Sequence, residues 1–364
     1  MKKFLLSFSL VAVVLTGKTL AQDSSSFSVS GYVDAYAAIY QDSLPPGEYQ
    51  QFPSVSPRSH QFGLNVAQLS AKYSGNRIRG TVTLHYGDIP LSTWSPTFNF
   101  IQEANVGVRL CKKAWLDAGF FRTHIGTEGL FPKENITSSV AVPTFFEPYY
   151  QAGLRLNYTP TEKLALNFYL LNGYNLFEDN NKKKSAGLLA TYTINSNLSV
   201  GYDNYVGDDT PQGDTTNHLR FYNNAFLNFE KGKIKIVTGV DVCLHQHPDI
   251  SAFDSSENSG LMVSGVFILR YMISSMFNVY GRFEFYNDPD GVVSGVMFDS
   301  KQHPTGLKLW GETAGAEWKP TTNSYLRLEV RALVADSDQE IFYWDKEFRN
   351  TRLEAMINLG VWFP

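Results

Sequence analysis

The chain has 364 residues, of which 43% are hydrophobic and 18% charged, with a formal net charge of −4. That imbalance is too small to argue for nucleic acid or any strongly charged partner. Past the amino terminus no apolar run approaches the ~20 residues that a membrane helix needs. A mean hydropathy of −0.21 still leaves a membrane barrel open, because its strands alternate lipid-facing and water-facing residues and every window averages to neutral. The 14% aromatic content, with 20 Tyr and 26 Phe, is an excess that interfacial girdles would use.

In chain order, Met1, Lys2 and Lys3 form a basic start, Phe4 to Leu15 is apolar apart from two serines, and Thr19-Leu20-Ala21 offers a cleavage site before Gln22. This predicts a secretory signal peptide over 1–21, removed on export, and a single mature domain over 22–364. No cysteine follows the cleavage site to carry a lipid anchor.

The mature chain then shows about sixteen segments of strand length with period-two alternation, an even count suited to a bacterial barrel. Phe27, Val29, Val33, Ala35 and Ile39 oppose Ser28, Ser30, Tyr32, Asp34 and Tyr36. Ile78, Val82, Leu84 and Tyr86 oppose Arg77, Arg79, Thr81, Thr83 and His85. The same pattern recurs around Val106, Leu166, Ile236, Phe283 and Leu328. Segments near 62–73, 219–229 and 261–271 alternate poorly, which leaves the count open by about two strands. The links between segments alternate long and short: 41–61, 88–101, 123–149, 172–184, 206–218, 244–260, 287–306 and 332–350 are long, with tight turns such as Ser74-Gly75-Asn76 between them. Antiparallel strands with one rim in the periplasm and the other outside give this alternation. A β-sandwich, the main alternative, would scatter its loop lengths.

The last segment is the most regular. Leu353, Ala355, Ile357, Leu359, Val361 and Phe363 share one face up to the carboxyl end. A terminal aromatic in this register resembles the signal by which the outer-membrane barrel-assembly machinery selects its clients, with Pro364 as a departure. The cysteines fall near opposite ends of their strands, Cys111 on the periplasmic side and Cys243 on the outer side. That is beyond the ~7 Å Cα limit of a disulfide, so both are expected to be free thiols.

Several stretches together resemble a known family. They are Gln102-Glu103-Ala104-Asn105-Val106, the run from Asp117 to Glu128, Leu171-Asn172-Gly173-Tyr174-Asn175, the run from Gly281 to Gly291, Trp318-Lys319-Pro320, and Leu326 to Arg331. In order and spacing they are similar to the OmpL-like putative beta-barrel porin family of Gram-negative outer membranes, from roughly the fourth strand onward. The resemblance implies a pore-forming, all-β barrel.

With the apolar face outward, the inner wall is predicted to present Arg77, Arg79, Arg109, Arg155, Lys235, Arg282, Glu284, Arg327, Glu329 and Arg331. Such a screen of fixed charge sets ion preference. Alternatively, Arg-x-Glu pairs such as 282/284 and 327/329 neutralise each other and brace the wall. The longest link, 123–149, spans about 27 residues, and long structured loops are usually functional. By analogy with the third loop of sixteen-stranded porins, Glu128, Phe131, Glu134, Phe145, Phe146 and Glu147 are candidates for a constriction; a surface lid packed by its own aromatics is the alternative.

Other chemistry is thin. His245 and His247 lack a third ligand for a metal site. Asp208, Asp209 and Asp214, like Asp288 and Asp290, lack the spacing of a calcium loop and read as solvated turns. No nucleophile motif points to catalysis, and no cofactor is expected. The sequence therefore supports an outer-membrane porin for passive diffusion of small hydrophilic solutes or ions, with a mild anion preference from the slight basic excess of the wall. The alternative is a non-transport barrel acting as adhesin or receptor through its long outer loops. The expected partners are outer-membrane lipid, the assembly machinery, small solutes and, by analogy, further copies of the chain.

Overall fold

In a computed structural model the described residues are 25–42, 44–45, 47–208, 210, 213, 218–248 and 259–364; the predicted signal peptide lies outside them. Among the described residues twenty strands run in chain order. Thirteen of the barrel strands come first: β1 Ser26–Tyr40, β2 Gln61–Ser74, β3 Ile78–Tyr86, β4 Ile101–Cys111, β5 Ala114–Arg122, β6 Tyr150–Tyr158, β7 Leu164–Leu171, β8 Ser185–Asn195, β9 Leu198–Asp208, β10 Leu219–Lys231, β11 Ile234–Gln246, β12 Ser259–Met272 and β13 Phe277–Asn287. After a small loop hairpin, β14 Met297–Phe298 with β15 Pro304–Thr305, come β16 Lys308–Trp318 and β17 Ser324–Ala335. A second loop hairpin, β18 Phe342–Trp344 with β19 Glu347–Arg349, precedes β20 Thr351–Phe363. Every barrel strand pairs antiparallel with its neighbours in sequence, and β20 pairs with β1, so sixteen strands close into a barrel without an edge. Closure satisfies every interior ladder group, the condition for crossing lipid with strands. Among the described residues no helix is long and apolar enough to cross a membrane.

The outward face carries the apolar half of each alternation. Phe27, Val82, Val106, Phe283, Leu328 and Leu353 are exposed, while Asp34, Asp117, Arg282, Glu329, Arg331 and Arg352 are buried inside. This is the reverse of a soluble protein and the expected state of a membrane barrel.

The three poorly alternating segments are all strands, each for its own reason. In β2 the register shifts opposite Asp34/Ala35, leaving Asn65 as an extra residue. A bulge re-aims its side chain, and here Asn65 donates to Asp34 at 2.6 Å and accepts from the Ser56 N–H at 2.6 Å. In β12 the inner face itself is apolar: Val266 and Ile268 pack with Val237, Tyr280 and the loop residues Ile136 and Ala141. In β10 the outward Asn223 accepts from the Tyr202 hydroxyl at 2.6 Å, placing polar atoms on the lipid side.

Both cysteines are free thiols, Cys111 exposed and Cys243 buried.

Candidate functional site

The long link between β5 and β6 turns into the lumen. It holds a 3₁₀ turn at Pro132–Glu134 and a short helix, Val142–Phe146. Irregular backbone has no ladder to satisfy its polar groups, and burying them unpaired is costly. The wall supplies the partners. Glu329 accepts from the Ser138 N–H at 2.6 Å, the Ser139 N–H at 3.0 Å and the Ser139 hydroxyl, and the Tyr280 hydroxyl donates to it at 2.9 Å. Arg327 donates to the carbonyls of Pro132 at 2.8 Å, Thr137 at 2.7 Å and Asn135 at 2.9 Å. Arg282 donates to the Ser139 carbonyl at 2.7 Å. Glu284 accepts the Val142 N–H at 2.5 Å and so caps the Val142–Phe146 helix, whose own sequence offers no capping side chain.

The guanidiniums are themselves neutralised. Arg282 lies 3.3 Å from Glu284 and 3.4 Å from Glu128, Arg331 bridges Glu284 at 2.9 Å and Glu354 at 3.6 Å, and Arg327 pairs with Glu317 at 2.8 Å. The expected 282/284 pair forms. The expected 327/329 pair does not, because Glu329 is turned to the loop and Glu317, on the neighbouring strand, takes Arg327. Glu317, beside Trp318 at the end of β16, carries no signal of this role in the sequence.

The loop also reaches the opposite wall. Arg122 binds Glu134 through contacts of 2.6 and 2.5 Å and lies over the Phe131 ring at 5.3 Å. Lys133 donates to Gln68 at 2.6 Å and lies over Tyr32 at 4.5 Å. Phe145 and Phe146 pack on Phe52 of the first long loop, each at 6.1 Å, and Phe146 stacks on Tyr286 at 5.0 Å. All six candidate loop residues therefore lie inside the barrel mouth, and the surface-lid alternative does not describe this loop.

Glu128 accepts from the Ala141 N–H at 2.7 Å and the Thr137 hydroxyl at 3.2 Å, within the loop. Burial raises its carboxyl above the ordinary range despite Arg282. Glu147 is more extreme: burial, then the facing carboxylates of Asp241 and Asp203, push it well up. Gly126 leaves room for it, since a Cβ there would come within 2.0 Å of a Glu147 oxygen. Thr127 lies on Gly239 in the same way, at 1.8 Å from a Cβ position, and accepts from Asn224 at 3.0 Å. His124 donates from Nε2 to the Asn204 carbonyl at 2.9 Å, with Nδ1 2.7 Å from the Gln151 side chain. Burial lowers its pKa, so the ring is neutral and the Gln151 amide is best turned to donate.

The remaining wall residues divide. Arg79 and Arg155 share Asp117, at 2.6 and 3.0 Å. Arg79 and Arg109 stack on Trp115 at 4.6 and 4.7 Å, and Arg109 is exposed to the lumen. Lys235 lies 3.7 Å from Glu230 at the short-turn end. Arg77 is a correction: it sits in the turn before β3, exposed, because the strand begins at Ile78. Between the loop and β8–β10 lies a cavity of ≈ 230 Å³ lined by Arg122, Glu128, Leu189, Thr191 and Phe226.

The outer-loop candidates are occupied by neighbouring protein groups. Asp288 accepts from the N–H groups of Val292, Val293 and Ser294 at 2.7 to 2.9 Å, and Asp290 from that of Leu261 at 2.9 Å. Asp208 accepts from Lys183 and the Thr210 N–H. Asp209 and Asp214 lie outside the described residues. The His218 ring is 5.9 Å from His245 and 6.5 Å from His247.

Comparison with solved structures agrees with this architecture. The outer membrane channel DcaP of Acinetobacter baumannii superimposes with a TM-score of 0.61 at 10% identity, covering 92% of this chain and 97% of that one. Outer-membrane expressed OmpT of Vibrio cholerae gives 0.60 at 11% identity over 94% and 99%, and a trimer form of in-vitro folded OmpT gives 0.58 at 11% over 94% and 100%. At these identities the likeness is one of fold. No curated protein matches the chain. The family described as "Putative beta-barrel porin-2, OmpL-like" matches residues 26–363, from the first barrel strand to the last. The chain is thus a member of that porin-like family of outer-membrane barrels.

Proposed function

We propose that the protein is a passive channel for small hydrophilic solutes, necked by the inturned loop 123–149. The observation that supports this reading is the clamp of Glu329, Glu284 and Arg327, which seats the loop against the inner wall. Most wall charges are paired within that clamp and lie away from water. The water-accessible remainder keeps a slight basic excess: Arg79, Arg155 and Arg109 stand against the half-exposed Glu103 and the buried Asp117 that Arg79 and Arg155 share, while Asp203, Asp241 and Glu147 are buried beneath the loop. Charges that reach water set selectivity, and paired ones contribute little field. The channel therefore prefers anions mildly. The test is conductance across a planar bilayer in a potassium chloride gradient. Discrete open steps with a reversal potential of anionic sign are expected, moved toward cations by Arg109→Glu. Silence from a folded, heat-modifiable barrel would overturn the channel, and a cationic wild type would overturn the selectivity.

A further inference from the structure

Among the described residues the outer wall holds one carboxylate where lipid should meet only carbon. Glu312 is on the outward face of β16, opposite Phe283 on β13 and Ala332 on β17. It is exposed, and among the described residues no hydrogen bond or ion pair holds it. Trp310, next on the same face toward the extracellular end, and Trp318, near the periplasmic end, mark the interfacial rows. Glu312 thus lies just inside the apolar band, below the outer row, at the level where acyl chains join a headgroup. Around it the wall is concave. Gly281, Ala314, Ala332 and Ala355 form the floor of a groove of ≈ 920 Å³, flanked by Phe267, Phe283 and Leu353.

A charge at this depth is costly unless a donor meets it. A second copy of the chain would bring no cation: among the described residues no lysine or arginine faces outward between the aromatic rows. The polar trio Tyr202, Asn204 and Asn223 is closed on itself by contacts of 2.6 and 3.3 Å.

We propose that this groove binds an outer-leaflet lipid whose acyl chains hang from a donor-bearing junction, an amide N–H or a hydroxyl. The donor meets the Glu312 carboxylate and the chains lie over the floor of small residues. The site is independent of conduction. To test it, the purified full-length wild type and Glu312→Leu are each placed in micelles doped with ceramide 1-phosphate or with phosphatidic acid of matched chain length, and bound lipid is read by native mass spectrometry. The two probes differ at the chain junction, where only the ceramide donates. Wild type should retain the ceramide lipid about ten-fold over the ester, the factor a charge-assisted hydrogen bond supplies, and Glu312→Leu should lose that preference. The variant trades a charge for carbon on a lipid face, so it should fold, which heat-modifiability verifies. Equal retention of both lipids, or a preference that survives in Glu312→Leu, overturns the proposal. A lipid-free wild-type oligomer that falls to monomer in the variant overturns it in favour of a second copy.

Discussion

Glu147 shows how one side chain couples the loop to pH. Its carboxyl is held well above the usual range by burial and by the carboxylates of Asp241 and Asp203. A raised acid contributes stability that is fully present below its ordinary pKa and is lost as pH rises through the raised one. The loop seat is therefore firm in acid and loosens as Glu147 ionises beside two other carboxylates. Single-channel recordings should show conductance or open-channel noise rising with pH across that titration, and Glu147→Gln should flatten the profile. A variant with the wild-type pH dependence would remove Glu147 from this role. Period two sets Asp241 on the face opposite Val240 and Val242, but it does not fix its neighbours, since strand order around a barrel and the path of a loop bring Asp203 and Glu147 to it.

At the scale of elements, the loop and its clamp form a unit. Seven groups of the 132–142 backbone are bonded by Glu329, Arg327, Arg282 and Glu284. None belongs to the barrel's own ladder, so removing residues 129–143 should widen the lumen while the strands still close. The expected outcome is a higher single-channel conductance with heat-modifiability kept; unchanged conductance from a folded barrel would place the constriction elsewhere. The sequence made this loop conspicuous through its length and its paired aromatics. It left open whether the loop lay inside or outside, because Phe145 and Phe146 would pack equally well on one another in a lid. Phe52 and Tyr286, from distant parts of the chain, decide it.

At the scale of the whole molecule, β20 seals the barrel against β1 over a register from Gly31↔Phe363 to Tyr40↔Glu354. The Phe363 ring lies over Gly31, where a Cβ would come within 2.2 Å of it. That aromatic fills the seam where Gly31 leaves room for it. Phe363→Ala should lower the amount of heat-modifiable barrel in outer-membrane fractions several-fold, with precursor or degraded chain in its place. Wild-type levels would show that the seam tolerates its loss.

Period-two alternation, alternating link lengths and a terminal aromatic were enough, by themselves, to determine a closed barrel with its apolar face outward. Each is a local pattern, and lipid on one side with water on the other imposes it residue by residue. Only the tertiary structure decided which charges remain free. Arg327 chose Glu317 over Glu329, Asn65 turned inward at a bulge, and Val266 and Ile268 faced the lumen because a loop covers them. Those outcomes depend on neighbours far apart in sequence, and a burial cost is settled only when the partner that offsets it is in place.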